Sequence, residues 1–158
     1  MAQFSLRKAT EKDVPALVGL CKDTISEVYG PFIPPEVLRP WIEGSAVEGL
    51  VEEEWPRMVV AEVEAEVLGV AAVSEDAVDL LWVHPSHHGE GMGTALLDFV
   101  EADIRKKGYR RGKLSCFTQN HRAMNFYLRK GWTAEGEGRN EETGALETRM
   151  VKSLIEEG

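Results

Sequence analysis

Fifteen consecutive residues, Leu80 to Thr94, restrict the fold of this chain more than any other segment. An apolar β-type run, Leu80-Leu81-Trp82-Val83, stops at a turn containing Pro85, passes Gly89, Gly91 and Gly93, and enters a helical pattern that runs to about Lys107. Glycines at such a junction let the backbone approach a ligand closely and leave amide N–H groups unobstructed by Cβ atoms. The helix behind them adds unpaired N–H groups and the positive end of its dipole. Strand, glycine loop and helix N-terminus together make a cradle for an anion, most often a phosphate or pyrophosphate.

Two well-known phosphate loops are excluded. No Lys-Ser or Lys-Thr follows the last glycine, so this is not a Walker A loop. Gly89-x-Gly91-x-Gly93 also lacks the G-x-G-x-x-G spacing of a dinucleotide-binding turn.

The rest of the chain narrows the class. Its 158 residues suit one domain, residues 1–158, able to bury about two-thirds of the surface of the unfolded chain. The composition, 43% hydrophobic and 28% charged, is that of a globular protein, and no apolar run approaches the ~20 residues of a membrane span. The first eight residues lack a signal-peptide core. Cys21 and Cys116 are isolated, without a C-x-x-C or a disulfide framework, and point to the reducing cytosol. A net charge of −9 argues against a non-specific nucleic-acid binder and weakly favours an amine substrate.

Periodicity predicts a mixed α/β sheet of about seven strands flanked by helices. Alternation over residues 3–8 gives a first strand, and Thr10 with Asp13 forms a capping-box pattern for a helix over 11–28. Residues 29–35 read as a turn and loop, Pro35 opens a second helix ending near Gly44, and Ser45 caps a short third piece through Glu53. Residues 57–63 and 67–74 make a hairpin, and 78–83, nearly all apolar, makes a central strand. The helix after the glycine loop turns Leu96, Phe99, Val100 and Ile104 inward, and Gly108 stops it. A strand over 110–117, a helix over 122–130 closed by Gly131, and strands over 132–137 and 146–154 complete the chain.

A second motif lies roughly 30 residues after the first: Asn120-His121-Arg122-Ala123-Met124-Asn125-Phe126-Tyr127-Leu128-Arg129-Lys130-Gly131-Trp132. Asn120 suits a helix cap that also presents an amide to a ligand. Ala123, Phe126 and Tyr127 fall three or four residues apart, on one helix face. The pair of motifs resembles the GNAT N-acetyltransferase superfamily. That family's acyl-CoA loop is Gln or Arg, two residues, Gly, one residue, then Gly or Ala, and it falls here on His88-Gly89-Glu90-Gly91-Met92-Gly93. His88 departs from the usual Arg or Gln. The second motif matches as Asn, Ala, Phe-Tyr, then Gly before an aromatic, and the order of elements matches over essentially the whole chain.

The resemblance implies an α/β GNAT-like fold and acetyl-CoA as co-substrate, without a metal. It implies that the coenzyme A phosphates sit on the amides of residues 89–94, that is Gly89, Glu90, Gly91, Met92, Gly93 and Thr94. The pantetheine arm then follows the fourth strand through Leu81, Trp82 and Val83, with backbone pairing at Leu81 and Val83. Asn120, with Ala123 and Phe126, holds the same arm, and Tyr127 protonates the departing sulfur. A phenol of ordinary pKa near ~10 stays protonated at neutral pH and can donate to a thiolate of pKa near ~8.5. The base is open: Asp79 on the strand, Glu75 or Asp76 at its entrance, or ordered water. Whether His88 touches the phosphates is open too.

Each feature has a plainer interpretation. The glycine loop can be a turn without a ligand, Tyr127 a core aromatic bonded to backbone, and Asn120 a cap alone. His84, His87 and His88, with His121, invite a zinc site but lack a fourth ligand at a known spacing. Trp41 and Tyr29 are core packing or one wall of an acceptor pocket, Glu52-Glu53-Glu54 a solvated face, and Cys116 a small buried hydrophobe. The acceptor is a small-molecule or peptide amine of unread identity, with no nucleic acid or membrane involved and a homodimer among the options. A non-catalytic acyl-CoA-binding module is the rival to an enzyme.

Overall fold

The computed structural model describes residues 3–155; Met1, Ala2 and residues 156–158 of the expected single domain lie outside the described residues. Seven strands and five helices alternate along it: β1 Ser5–Lys8, α1 Val14–Thr24, α2 Pro35–Ile42, α3 Ala46–Glu54, β2 Met58–Val63, β3 Glu66–Ser74, β4 Ala77–Val83, α4 Met92–Lys106, β5 Arg111–Phe117, α5 His121–Arg129, β6 Thr133–Arg139 and β7 Leu146–Ser153. They form one sheet in the order β1-β2-β3-β4-β5-β7-β6, antiparallel throughout except where β4 meets β5.

Strand alternation divides the core into two layers. On one face Val59, Ala71, Val73, Leu114, Cys116 and Met150 pack under α4 and α5. On the other, Met58, Val60, Val70 and Ala72 pack with Leu17, Leu20, Cys21, Leu38, Val47 and Val51 of α1, α2 and α3. The first hairpin turns on Glu64 (φ 49°) and Ala65 (φ 68°), two non-glycine residues in the left-handed region, a conformation that matches the twist of paired strands.

Three expectations need correction. The helix expected over 11–28 begins as a 3-10 turn at Glu11–Asp13 and widens into a π-helical turn at Ile25–Tyr29. Thr24 bonds back from Oγ1 to the Leu20 carbonyl (2.8 Å) just before the widening, a bond that loosens helical geometry. Ser45 precedes α3 without a side-chain capping bond. Phe99 is 40% exposed, and Leu97 takes its place at 0%. The buried stripe of α4 is Met92, Leu96, Leu97, Val100, Glu101 and Ile104, so Phe99 falls on its flank.

Glu101 belongs to that stripe because both its oxygens are bonded. Trp132 Nε1 donates to Oε2 (3.1 Å) and Lys152 Nζ to Oε1 (2.8 Å), joining α4, the turn after α5 and β7. Trp132 is 1% exposed, and burial of an indole contributes roughly 3 kcal/mol or more. This anchor fixes α5 beneath the sheet.

Candidate active site

Strand β4 occupies the middle of the sheet, yet its C-terminal half has a neighbour on only one flank. Toward β3 it pairs from Ala77 to Val83, with a bulge between Ala72 and Val73 that leaves Asp79 opposite no partner. Toward β5 it pairs only at Ala77 with Lys113, and Lys113 N donates to the Asp76 carbonyl (2.9 Å). Beyond that bridge the two parallel strands diverge. The N–H of His84 donates to the Leu68 carbonyl on β3 (2.8 Å), so by strand alternation the backbone groups of Leu81 and Val83 face the opening. Leu80, Leu81, Trp82 and Val83 are all half-buried, whereas residues 67–73 of β3 are buried. A mid-sheet strand with bare amides and carbonyls is a template for an extended ligand.

The opening leads to the glycine loop. Gly89 (φ 84°) and Gly91 (φ 90°) take left-handed backbone, and Gly91 is the residue before α4. The helix's first backward bond runs from Ala95 N to the Gly91 carbonyl (3.1 Å), so the amides of Gly91, Met92, Gly93 and Thr94 have no partner within the helix. Gly93 lies against Phe126, whose ring would be 3.5 Å from a Cβ there, and against Val83 at 3.9 Å. The sequence thus brings β4, the start of α4 and α5 to one point.

The histidines of this loop serve its shape. His84 Nδ1 accepts from Ser86 N (3.2 Å) while Nε2 meets Asp23 (3.2 Å), and His87 Nδ1 meets Glu90 Oε2 at 2.7 Å. Among the described residues no group of three or more His, Cys, Asp or Glu side chains is placed to hold a metal ion. His88 Nε2 lies 2.9 Å from the Val83 carbonyl and, as N–H, donates to it. Its side chain thus turns back onto β4, where the family pattern has Arg or Gln.

Burial, and secondarily the charge of Arg122, hold the His88 imidazole below its ordinary basicity. As pH falls the unfolded chain therefore takes up this proton first. The stability from neutral His88 is complete above about pH 6.5 and is lost as pH falls through the lower folded value. Urea unfolding between about pH 7 and 5 should show this decline, and His88→Gln should reduce its slope while keeping a donor for Val83. An unchanged slope would take His88 out of the pH response.

Helix α5 closes the opening on the α4 face. Asn120 caps it, Oδ1 accepting from Ala123 N (3.3 Å). Tyr127 is 8% exposed and shares a core cluster with Cys116 of β5 and with Leu81 and Val83 of β4. Its ring meets Phe126 and Trp132 edge-on, with centroids 5.4 and 6.2 Å apart. No group among the described residues hydrogen-bonds its hydroxyl, so the backbone-bonded core tyrosine is not what forms. Burial, then the neighbouring Cys116 and Tyr29, push this phenol well above its ordinary pKa, so it remains a proton donor.

Residues 23–154 match the model of the acetyltransferase (GNAT) domain. The chain belongs to the GNAT acetyltransferase family. It is 22% identical over 149 residues to the uncharacterized N-acetyltransferase in the pepI 3′ region of Lactobacillus delbrueckii subsp. lactis, covering 84% of this chain and 86% of that one. Among solved structures it is similar to a GCN5-related N-acetyltransferase from Rhodopseudomonas palustris, with a TM-score of 0.82, 20% identity and 97% of each chain covered. The PaiA N-acetyltransferase from Thermoplasma acidophilum, solved in complex with coenzyme A, has a TM-score of 0.80 at 20% identity, covering 96% of this chain and 99% of that one.

Within this GNAT domain the three carboxylates named as bases lie at the β3–β4 turn and the start of β4. Asp79 Oδ2 accepts from Arg57 Nη1 (2.9 Å) and from the Ser74 hydroxyl of the same hairpin. The bulge swings the side chain out, where it is 37% exposed. Asp76 pairs with Lys113 (3.5 Å), and Glu75 forms the turn at φ 55°. Both mark the closed end of the β4–β5 pair.

The opposite face of the opening is aromatic. Trp82, expected only as part of the strand that the pantetheine arm follows, points its indole there and donates from Nε1 to Tyr29 Oη (3.0 Å). Tyr29 also meets Phe117 of β5 edge-on at 5.2 Å, so one ring bridges both strands across the gap. Phe32 adds to the group at 5.7 Å from Phe117, and Trp41 Nε1 reaches Glu142 of the β6–β7 hairpin (3.1 Å). Phe32, Phe117 and Arg122 escaped the sequence reading. The first two carry no motif, and only the π-helical turn brings Tyr29 and Phe32 to the strands.

Proposed function

We propose that this GNAT protein transfers an acetyl group from acetyl-CoA to a primary amine by direct attack, with Tyr127 as general acid. The observation that carries this reading is the unpaired flank of β4 at the Leu81 backbone and the Val83 amide, continuous with the bare amides of residues 91–94. An acyl-CoA fits that shape in one orientation. Its phosphates meet the glycine loop and the start of α4, near the cationic Arg122, and its pantetheine groups pair with the Leu81 backbone and the Val83 amide. Asn120 keeps its side-chain N–H groups for the same arm, since only Oδ1 serves the cap.

The thioester then lies between the Tyr29 and Tyr127 faces of the opening. The lone pair of a neutral amine attacks the carbonyl carbon, and a β4 amide donates to the oxyanion that forms. As the intermediate collapses, the C–S bond breaks and the sulfur takes the phenolic proton of Tyr127. The proton lost by the amine nitrogen passes to water, and water returns a proton to the Tyr127 phenolate, which closes the cycle. Asp79 is committed to Arg57, which favours water over Asp79 as the base.

Acetyl-CoA should raise the melting temperature. At a ligand concentration of 100 Kd linkage contributes about 2.7 kcal/mol, or roughly 5–10 °C for a chain of this length. No shift at millimolar acetyl-CoA would end the assignment. Release of free coenzyme A thiol across a panel of amines then separates an enzyme from a binding module, which would show the shift and no turnover.

A further inference from the structure

Glu147 is a carboxylate on the aromatic face of the sheet that no cation claims among the described residues. It lies on β7 directly opposite Phe117 of β5, so both side chains stand on the same face of the sheet. That face is the one where Tyr29 spans the gap between Trp82 and Phe117. The Glu147 carboxylate is half-buried and accepts one hydrogen bond, from Asn140 Nδ2 to Oε1 (3.2 Å). Among the described residues it forms no ion pair, in a chain where Asp13, Asp79 and Glu101 each have a cationic partner. Its negative charge is close enough to help raise the Tyr29 phenol and the Cys116 thiol, one on each side of the opening.

A carboxylate that gives up part of its hydration without a cation leaves unsatisfied attraction for one. The neighbouring rings add their own, because the faces of Tyr and Phe attract ammonium groups. The other charges on the face do not cancel this. Arg149, two residues along β7, lays its guanidinium across Gly136 and Gly138 of β6, toward the outer edge of the sheet and away from the opening. Glu142, which takes the Trp41 indole, adds negative charge at the far end.

Resting on the acetyl-transfer reading above, we infer that Glu147 selects the acceptor. It binds the ammonium form of a primary amine whose apolar body lies against Tyr29, Phe32 and Phe117 and which bears no carboxylate beside the nitrogen. The acceptor class is therefore a cationic alkyl- or arylalkylamine rather than an amino acid. The neutral amine that attacks is drawn from this bound pool at the mouth of the opening. Glu147 is a specificity-determining residue, distinct from Tyr127, which serves the sulfur.

Matched amines test this. Phenethylamine and phenylalanine share a body and differ by one carboxylate, as do pentylamine and 6-aminohexanoate. With acetyl-CoA saturating, the wild-type protein should favour the amine over its carboxylated partner in kcat/KM by about tenfold or more in the first pair, the worth of one charge-assisted contact. The second pair, whose carboxylate is remote from the nitrogen, should show a smaller ratio.

Glu147→Gln keeps the shape and can still accept from Asn140. It should narrow the first ratio to within about threefold, through KM for the amine rather than through kcat. Glu147→Lys should invert it. The acetyl-CoA-induced melting shift should be the same in all three proteins, which reports on folding and on the coenzyme A site independently of the acceptor. Absence of that shift in the wild type would remove the acetyl-transfer reading itself. A normal shift with equal use of phenethylamine and phenylalanine, with neither used, or with a ratio untouched by Glu147→Gln, would overturn the role of Glu147 and leave that reading standing.

Discussion

Gly91→Val is expected to lower acetyl-CoA affinity by about a hundredfold or more in a protein that still folds. Gly91 has φ 90°, and its carbonyl accepts the first helical bond, from Ala95 N (3.1 Å). A β-branched residue is strained in that region, so the turn must shift and re-aim the amides that follow. The protein itself has room, since among the described residues a Cβ there would meet only the Phe4 ring edge, at 3.9 Å. The penalty therefore falls on the ligand through two routes: misdirected amides, each worth about 1.5–3 kcal/mol toward a charged phosphate, and a branched side chain where the phosphate approaches.

Gly93→Ala is the contrast. Gly93 lies in the first turn of α4 without left-handed backbone, and a methyl there meets Phe126 at an ordinary 3.5 Å. That variant should gain about 0.5–1 kcal/mol from helix propensity and keep its affinity. Calorimetric titration with acetyl-CoA and urea unfolding check both. Unchanged affinity in Gly91→Val would mean that these amides do not hold the phosphates.

The contrast shows what the sequence could and could not convey. Glycines, prolines and apolar periods are local signals, and they located every strand and helix of the sheet within a few residues, because local backbone preference and burial agree there. The short third piece expected through Glu53 forms as α3, although Ser45 resembles a cap but bonds nothing. Partnerships across the chain leave no such trace. Nothing in Asp79's neighbourhood reveals Arg57, 22 residues earlier, as the group that claims its carboxylate. Nothing in the sequence around Glu101 reveals Trp132 and Lys152 as the source of its two bonds. The divergence of β4 from β5 is a property of the pair and of a bulge. An apolar strand between two others reads as fully paired, and only its half-buried side chains betray the gap. The aromatic face had the same fate: Tyr29 and Trp41 drew notice singly, whereas the bridge from Trp82 to Phe117 depends on a π-helical turn that no propensity announces.

Tyr127→Phe is expected to leave acetyl-CoA affinity within about threefold and to reduce turnover by about a hundredfold, the lower end of what general acid catalysis supplies. The substitution removes one oxygen and keeps the ring, whose edge-on packing against Phe126 and Trp132 and place beside Cys116 hold it in α5. The hydroxyl makes no bond within the described residues, so its loss strands no partner, and stability should change by less than about 1 kcal/mol. That separates this residue from an ordinary buried tyrosine, whose hydroxyl deletion costs stability and spares chemistry. Because its environment raises the phenol, Tyr127 stays protonated across the neutral range. A thiolate of pKa near ~8.5 is a weak base toward so poor an acid, so the proton passes as the C–S bond breaks and solvent then restores the phenol. Solvent can take over part of the task, which is why the smaller factor is expected. Turnover should be compared at saturating acetyl-CoA with the best acceptor from the amine panel, under conditions where the chemical step limits the rate. A variant as fast as the parent there would leave Tyr127 as packing between α5 and the sheet, and the sulfur would have to take its proton from water.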